Sequence, residues 1–170
     1  TLPYSQYGYV EATTDMEEGA WLECRVHMFL SFEGTPVKIA CDNLKTGVVP
    51  HPKEGETILN GAYPALGEYY MAAIMPTGVK KPKKKASVEG SAGKIAPAVM
   101  AKLRNEIFAS PGSLNSAIRK AVKGYNGRPF QRRDGSRGTV FNTQEKACPR
   151  ALPPVPCGVC EWPCGHKVGR

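Results

Sequence analysis

Hydrophobic and polar positions alternate along SQYGYVEAT, residues 5 to 13, which predicts a strand. Thr14 with Glu17 three residues on has the form of a capping box. The period then becomes helical: Met16, Ala20, Cys24 and Met28 recur every four residues, with Trp21 beside them. Gly34 and Pro36 end that unit, and PVKIAC predicts a second strand. GVVPHPKEGE, residues 47 to 56, reads as a loop. From Thr57 the positions Ile58, Leu59, Ala62, Tyr63, Leu66 and Tyr70 keep helical spacing, with Pro64 expected to kink or split the helix. MAAIMP, residues 71 to 76, predicts a third short strand. Val88, Ala92, Ile95, Ala96, Val99 and Leu103 form a stripe on a helix that Pro97 should bend. A last helix is expected from Ser113 as N-cap, with Leu114, Ala117, Ile118, Ala121, Val122 and Tyr125 in register. Residues 142 to 170 show no helical period. Strands alternating with helices argue for an α/β layer structure.

Composition narrows the class. With 41% hydrophobic and 22% charged residues over 170 positions, the chain fits a globular protein rather than a disordered one. No apolar run approaches the roughly 18 residues needed to span a bilayer, and no secretory start is visible. The expected location is therefore the cytoplasm, with no membrane partner. A net charge of +8 suggests a polyanion, with nucleic acid as first candidate and a merely solubilising surface as the bland reading.

Cys157, Cys160 and Cys164 with His166 invite a zinc hypothesis. Structural zinc sites pair two ligands with a distant second pair. Here all four candidates crowd into ten residues around Pro163, so the spacing argues against zinc. Cys24 and Cys41 read as small buried hydrophobes, and His27 as a surface or partly buried histidine rather than a ligand.

Candidate chemistry centres on Asp42, which follows an apolar strand. A turn explains an Asp-Asn pair without further help; a metal ligand at the rim of a sheet is the sharper reading. The other two aspartates read differently: Asp15 lies in a first helical turn and Asp134 in the arginine-rich RRDGSR. Among the glutamates, Glu89 stands out, opening a helix just after five lysines in the six residues 80 to 85. Those lysines exceed what one glutamate can pair, and their repulsion asks for an external anion such as DNA phosphate. A strand-end Asp, a helical Glu and a basic run are what metal-dependent phosphodiester chemistry requires.

The segments ACDNLKTGV, KASVEG and AIRKAVKGYNGRPFQRRDGSR resemble the integrase-core region of IstA-type insertion-sequence transposases, over most of the chain from LPYSQYGYVEATTD to VCEW. Such enzymes belong to the DDE class on an RNase H-like fold. The resemblance implies that Asp42 is the second acidic residue of the triad and Glu89 the third, both ligands to Mg²⁺ or Mn²⁺. It implies that the intact protein frees 3′ ends of the element and joins them to target DNA. It also implies an IstB-type AAA+ helper ATPase and self-assembly on paired ends. By charge and position, Lys83, Lys84, Lys85, Arg128, Arg132 and Arg133 are the candidate DNA contacts.

In that family the first catalytic aspartate lies on a strand upstream of the motif that opens this chain. The expected architecture is thus an RNase H-like core, residues 1–127, without its first strand and most of its second. A basic linker and the start of a small C-terminal module follow over residues 128–170. The chain alone is expected to be inactive, marginally folded, and to leave its first two strands with unpaired edges. Pro64 and Pro97 depart from the family's helical pattern, and Pro97 could misplace Glu89. A non-catalytic basic DNA-binding module is the alternative, and a zinc-stabilised interaction domain ranks third.

Overall fold

The computed structural model describes residues 1–41, 48–50, 57–59, 62–76 and 82–155. Among them the chain is mixed α/β, as its pattern predicts. Helix α1 spans Glu18–Phe32, followed by strand β1, Lys38–Cys41, and the short strands β2, Val48–Pro50, and β3, Thr57–Leu59. Helix α2, Ala62–Tyr69, leads to strand β4, Ala73–Pro76. Helices α3, Pro82–Leu103, and α4, Pro111–Asn126, precede a short helix α5, Arg137–Val140, which continues as a π-helical turn over Phe141–Glu145.

β1 and β4 pair in parallel, with Lys38 opposite Ala73 and Cys41 opposite Pro76. β2 and β3 form an antiparallel pair, so residues 57–59, expected to open a helix, are strand instead. The apolar run Ile58–Leu59 fits either period, and pairing with Val48–Pro50 decides it. Helix α2 then starts at Ala62, which leaves Pro64 in its first turn. A missing N–H costs nothing there, and no split is needed.

α1 begins later than the capping box suggests. Asp15 takes the local donors: its carboxylate accepts from the Glu17 N–H at 3.0 Å, while its carbonyl accepts from the Thr13 hydroxyl at 2.7 Å. This self-bonded turn competes with helix, and Glu17 becomes the N-cap without a side-chain bond. The buried stripe is Leu22, Val26, Phe29 and Phe32, whereas Met16 is exposed. A strict four-residue spacing drifts by about 40° per step around a helix of 3.6 residues per turn, so the Met16 series leaves the buried face. In α4 the N-cap is Ser110 rather than Ser113. The two serines form a reciprocal box with Pro111 at the first helical position.

The largest correction concerns residues 6–13, which form no strand. Their alternation is real: Val10 and Ala12 pack against the α3–α4 core, while Tyr7 and Tyr9 pack with Leu2, Phe32 and Phe141. The backbone partner, however, is a pair of side chains. The Asn126 amide accepts from the Gly8 N–H at 3.1 Å and donates to the Gly8 carbonyl at 2.9 Å. Asn115 does the same for Ala12, both bonds at 2.9 Å. Helix α4 thus stands where a neighbouring strand would be.

Three apolar clusters result. α1, α2, β1 and β4 enclose Leu22, Val26, Phe29, Ile39, Tyr63 and Leu66. Ile95 and Val99 of α3 meet Ile118, Ala121 and Val122 of α4. Between them Tyr7 stacks on Phe141, with ring centroids 4.3 Å apart. Beyond Phe141 the chain returns to the first cluster. Thr35 and Arg150 exchange both backbone hydrogen bonds at 2.9 Å, and Leu152 packs onto the core.

Candidate nucleic-acid interface

The parallel register fixes one edge. β1 ends at Cys41 beside Pro76, where β4 ends, so both strands deliver the chain to the same carboxyl edge. Open α/β sheets bind ligands at that edge. Asp42 is the next residue after β1 but lies outside the described residues. Glu89 lies eight positions into α3, about 10 Å along its axis from Pro82 at 1.5 Å per residue. Its side chain also lies outside the described part, as do those of Lys83, Lys84 and Lys85 in the first turn of the same helix. α3 runs as one helix from Pro82 to Leu103 through Pro97. Three lysines in a first turn oppose the helix dipole, and an anion at that end would relieve them.

At the other end of α4 a second basic surface is described in full. Pro129 bridges Ser136, and the Phe130 N–H donates to the Gly135 carbonyl at 2.9 Å, closing a tight loop. Gly135 has φ +85°, a conformation that suits glycine. Ser136 then caps α5, bonding Thr139 reciprocally. The closed loop brings its arginines over aromatic rings. The Arg133 guanidinium lies 3.8 Å from the Phe130 centroid and 5.9 Å from Tyr4, and it donates to the Tyr4 carbonyl at 3.3 Å. The Arg137 guanidinium lies over Tyr125 at 4.5 Å and over Phe130 at 5.3 Å. Arg128 approaches Tyr125 at 5.8 Å. Arg132 is exposed and, among the described residues, lies over no ring. On the helical side, Lys102 from α3 reaches α4 next to Gly124, and Lys120 and Lys123 are exposed on α4 itself.

A third polar group ties the extended segment to α1. His27 Nδ1 is 3.0 Å from Glu11 Oε1, and the Tyr9 hydroxyl donates to Glu11 Oε2 at 2.7 Å. Burial, and then the Glu11 carboxylate, push the Tyr9 phenol well above its usual range. Burial, again ahead of Glu11, pushes the Cys24 thiol up to about 11. His27 is thus a partly exposed histidine paired with Glu11, and among the described residues no group of three or more His, Cys, Asp or Glu side chains could hold a metal. Cys157, Cys160, Cys164 and His166 lie outside the described residues.

No protein-family model matches the chain. Individual proteins do. "Putative transposase y4bL/y4kJ/y4tB" of Sinorhizobium fredii is 30% identical over 161 residues, covering 95% of this chain and 31% of that protein. "Putative transposase for insertion sequence IS1162" of Pseudomonas fluorescens is 30% identical over 155 residues, 91% of this chain and 27% of its own length. "Putative transposase Rv3428c" of Mycobacterium tuberculosis is 35% identical over 88 residues, 52% of this chain and 21% of that protein. The chain is a relative of insertion-sequence transposases. It spans about a third or less of the length of these curated relatives.

For this transposase relative, the described residues bring Arg128 and Arg133 into one aromatic-lined group, with Arg132 in the same loop. Sequence reasoning missed Arg137. The signal was present: Tyr125 and Phe130 are interleaved with Arg128, Arg132, Arg133 and Arg137 across YNGRPFQRRDGSR. No helix among the described residues is long and apolar enough to cross a membrane.

Proposed function

We propose that this chain is part of the catalytic core of a DDE-class, RNase H-like transposase, carrying two of its three metal-binding carboxylates and a share of its DNA contacts. The observation that carries this reading is the similarity to a transposase along 95% of the chain. The parallel pairing of β1 with β4 supports it, because the segments leading to Asp42 and to α3 leave from one edge. Hard Mg²⁺ or Mn²⁺ suits a carboxylate pair at such an edge, and Asp42 and Glu89 would hold it. When bound, such a metal activates the attacking oxygen and stabilises the leaving one in phosphodiester transfer. Lys83, Lys84, Lys85, Arg128, Arg132 and Arg133 would hold the DNA backbone. A helper ATPase of IstB type and self-assembly on paired DNA ends belong to the same proposal.

The chain alone should not cleave DNA. Asp15 is spent on the turn before α1, and Asp134 sits in the arginine loop, so neither supplies a third carboxylate. Two measurements on the 170-residue protein test the reading. Mn²⁺ binding, followed by electron paramagnetic resonance, should be weak in the wild type and lost in Asp42→Asn and Glu89→Gln. Supercoiled plasmid with Mg²⁺ should stay intact. Mn²⁺ binding that ignores both substitutions would favour a non-catalytic DNA-binding module, and Mg²⁺-dependent nicking would overturn the two-carboxylate assignment.

A further inference from the structure

We infer that Arg137 is a pre-positioned phosphodiester fork, set by Tyr125 and Phe130, through which this surface grips the DNA backbone. The inference rests on the DNA-binding reading above and assigns a contact that charge counting alone did not.

Arg137 is half-buried, yet no carboxylate lies within 4.0 Å of it among the described residues, where its guanidinium meets the two rings. A guanidinium taken partly out of water without a counter-ion is costly unless a ligand supplies the charge. Its N–H donors lie in its own plane. Cation–π contact of its Cζ with the Tyr125 and Phe130 rings, at 4.5 and 5.3 Å, therefore restrains it without an acceptor taking those donors. That leaves a planar fork matched to two phosphate oxygens.

The neighbours set the sign and class of the ligand. Residues 128–137 carry Arg128, Arg132, Arg133 and Arg137 against Asp134 alone. Arg133 already spends one donor on the Tyr4 carbonyl, while Arg132 has no ring to hold it among the described residues. Lys102, Lys120 and Lys123 extend the positive surface along the end of α4. A run of this length with one sign of charge fits a polyanion with repeating phosphates better than a single carboxylate side chain.

The test is fluorescence anisotropy with a labelled 20-base-pair duplex between 50 and 200 mM salt, on folded variants checked by circular dichroism. Arg137→Lys keeps the charge and loses the fork, so it should weaken binding about fivefold to tenfold with an unchanged salt slope. Arg137→Gln should weaken binding further and reduce the slope by about 0.9. Should the substitutions unfold the chain, the Arg137 Nε–Hε resonance of the wild-type protein replaces them and must shift on adding duplex. Wild-type binding with Arg137→Lys indistinguishable from it, or a resonance that stays in place, overturns the inference. No salt-sensitive binding by the wild type would instead overturn the DNA-binding reading beneath it.

Discussion

Asn126 on α4 closes a two-bond ring with the backbone of Gly8, 118 residues earlier, by accepting from its N–H and donating to its carbonyl. Asn126 is 3% exposed, so both Gly8 groups depend on this one amide. Buried backbone groups must be paired. Asn126→Ala should therefore cost about 2–4 kcal/mol in urea denaturation, since two buried groups lose their partner. Asn126→Asp keeps the acceptor and loses the donor, and should fall between. Asn115→Ala, at the half-buried rung to Ala12, should cost less than Asn126→Ala.

Gly8 is closed to side chains for a second reason. A Cβ there would collide with Cδ1 of Ile95, which is itself buried. Gly8→Ala should destabilise by about 1–3 kcal/mol through overpacking. Adding Ile95→Val removes the colliding methyl and should recover part of the loss. Equal stabilities for the single and double variants would mean that the clash is relieved elsewhere.

The start of α4 offers a cleaner local test. Ser110 and Ser113 satisfy each other's backbone N–H groups at 3.2 Å on an exposed surface. Ser110→Ala should cost about 1 kcal/mol, the usual worth of an N-cap, and lower the thermal midpoint by a few degrees. Because the residue is exposed, no cavity contributes to the loss.

Cys24 and Cys148 should react very differently. With its thiol pushed up to about 11, mainly by burial, Cys24 is ionised in only about one molecule per thousand at pH 8. Mass spectrometry after brief iodoacetamide treatment at pH 8 should find exposed Cys148 alkylated well before Cys24. The raised value also sets a pH dependence. The unfolded thiol ionises first, near its ordinary 9.0, so Cys24's contribution to stability is intact below pH 9 and declines between pH 9 and about 11. Cys24→Ser should flatten that decline.

The sequence pattern was a good guide wherever one face of an element meets a core. Ile39, Ile74, Ile95 with Val99, and Ile118 to Val122 all lie in helices or strands that their period or apolar run predicts, while α1 was legible as a helix but its buried face, Leu22 to Phe32, was not. It misled where a hydrogen-bond partner decides the state. Residues 6–13 alternate like a strand because two different clusters cover their two sides, but alternation says nothing about who supplies the ladder. Here Asn115 and Asn126 do, from a helix more than a hundred residues away. The turn Arg137–Glu145 was illegible for a related reason. It is held by Ser136 capping and by Phe141 docking on Tyr7, and neither leaves a repeat in the sequence. Of the candidate site, Arg128, Arg132 and Arg133 were legible as charge. The ring that orients Arg137 became visible only once the Pro129–Ser136 bridge had folded the loop back.

The backbone pair between Thr35 and Arg150 has a consequence in time. The two residues exchange both hydrogen bonds across 115 positions of chain, the difference between their numbers. A ribosome adding about 5–20 residues per second needs roughly 6–23 seconds to pass from one to the other. During that interval the end of α1 lacks the partner that later covers it, although the helix itself forms in about a microsecond. Newly made chains thus wait with Gly34 and Thr35 open, two residues that end up among the most buried in the protein. Synthesis speed, rather than helix formation, sets how long that seam stays open to other chains.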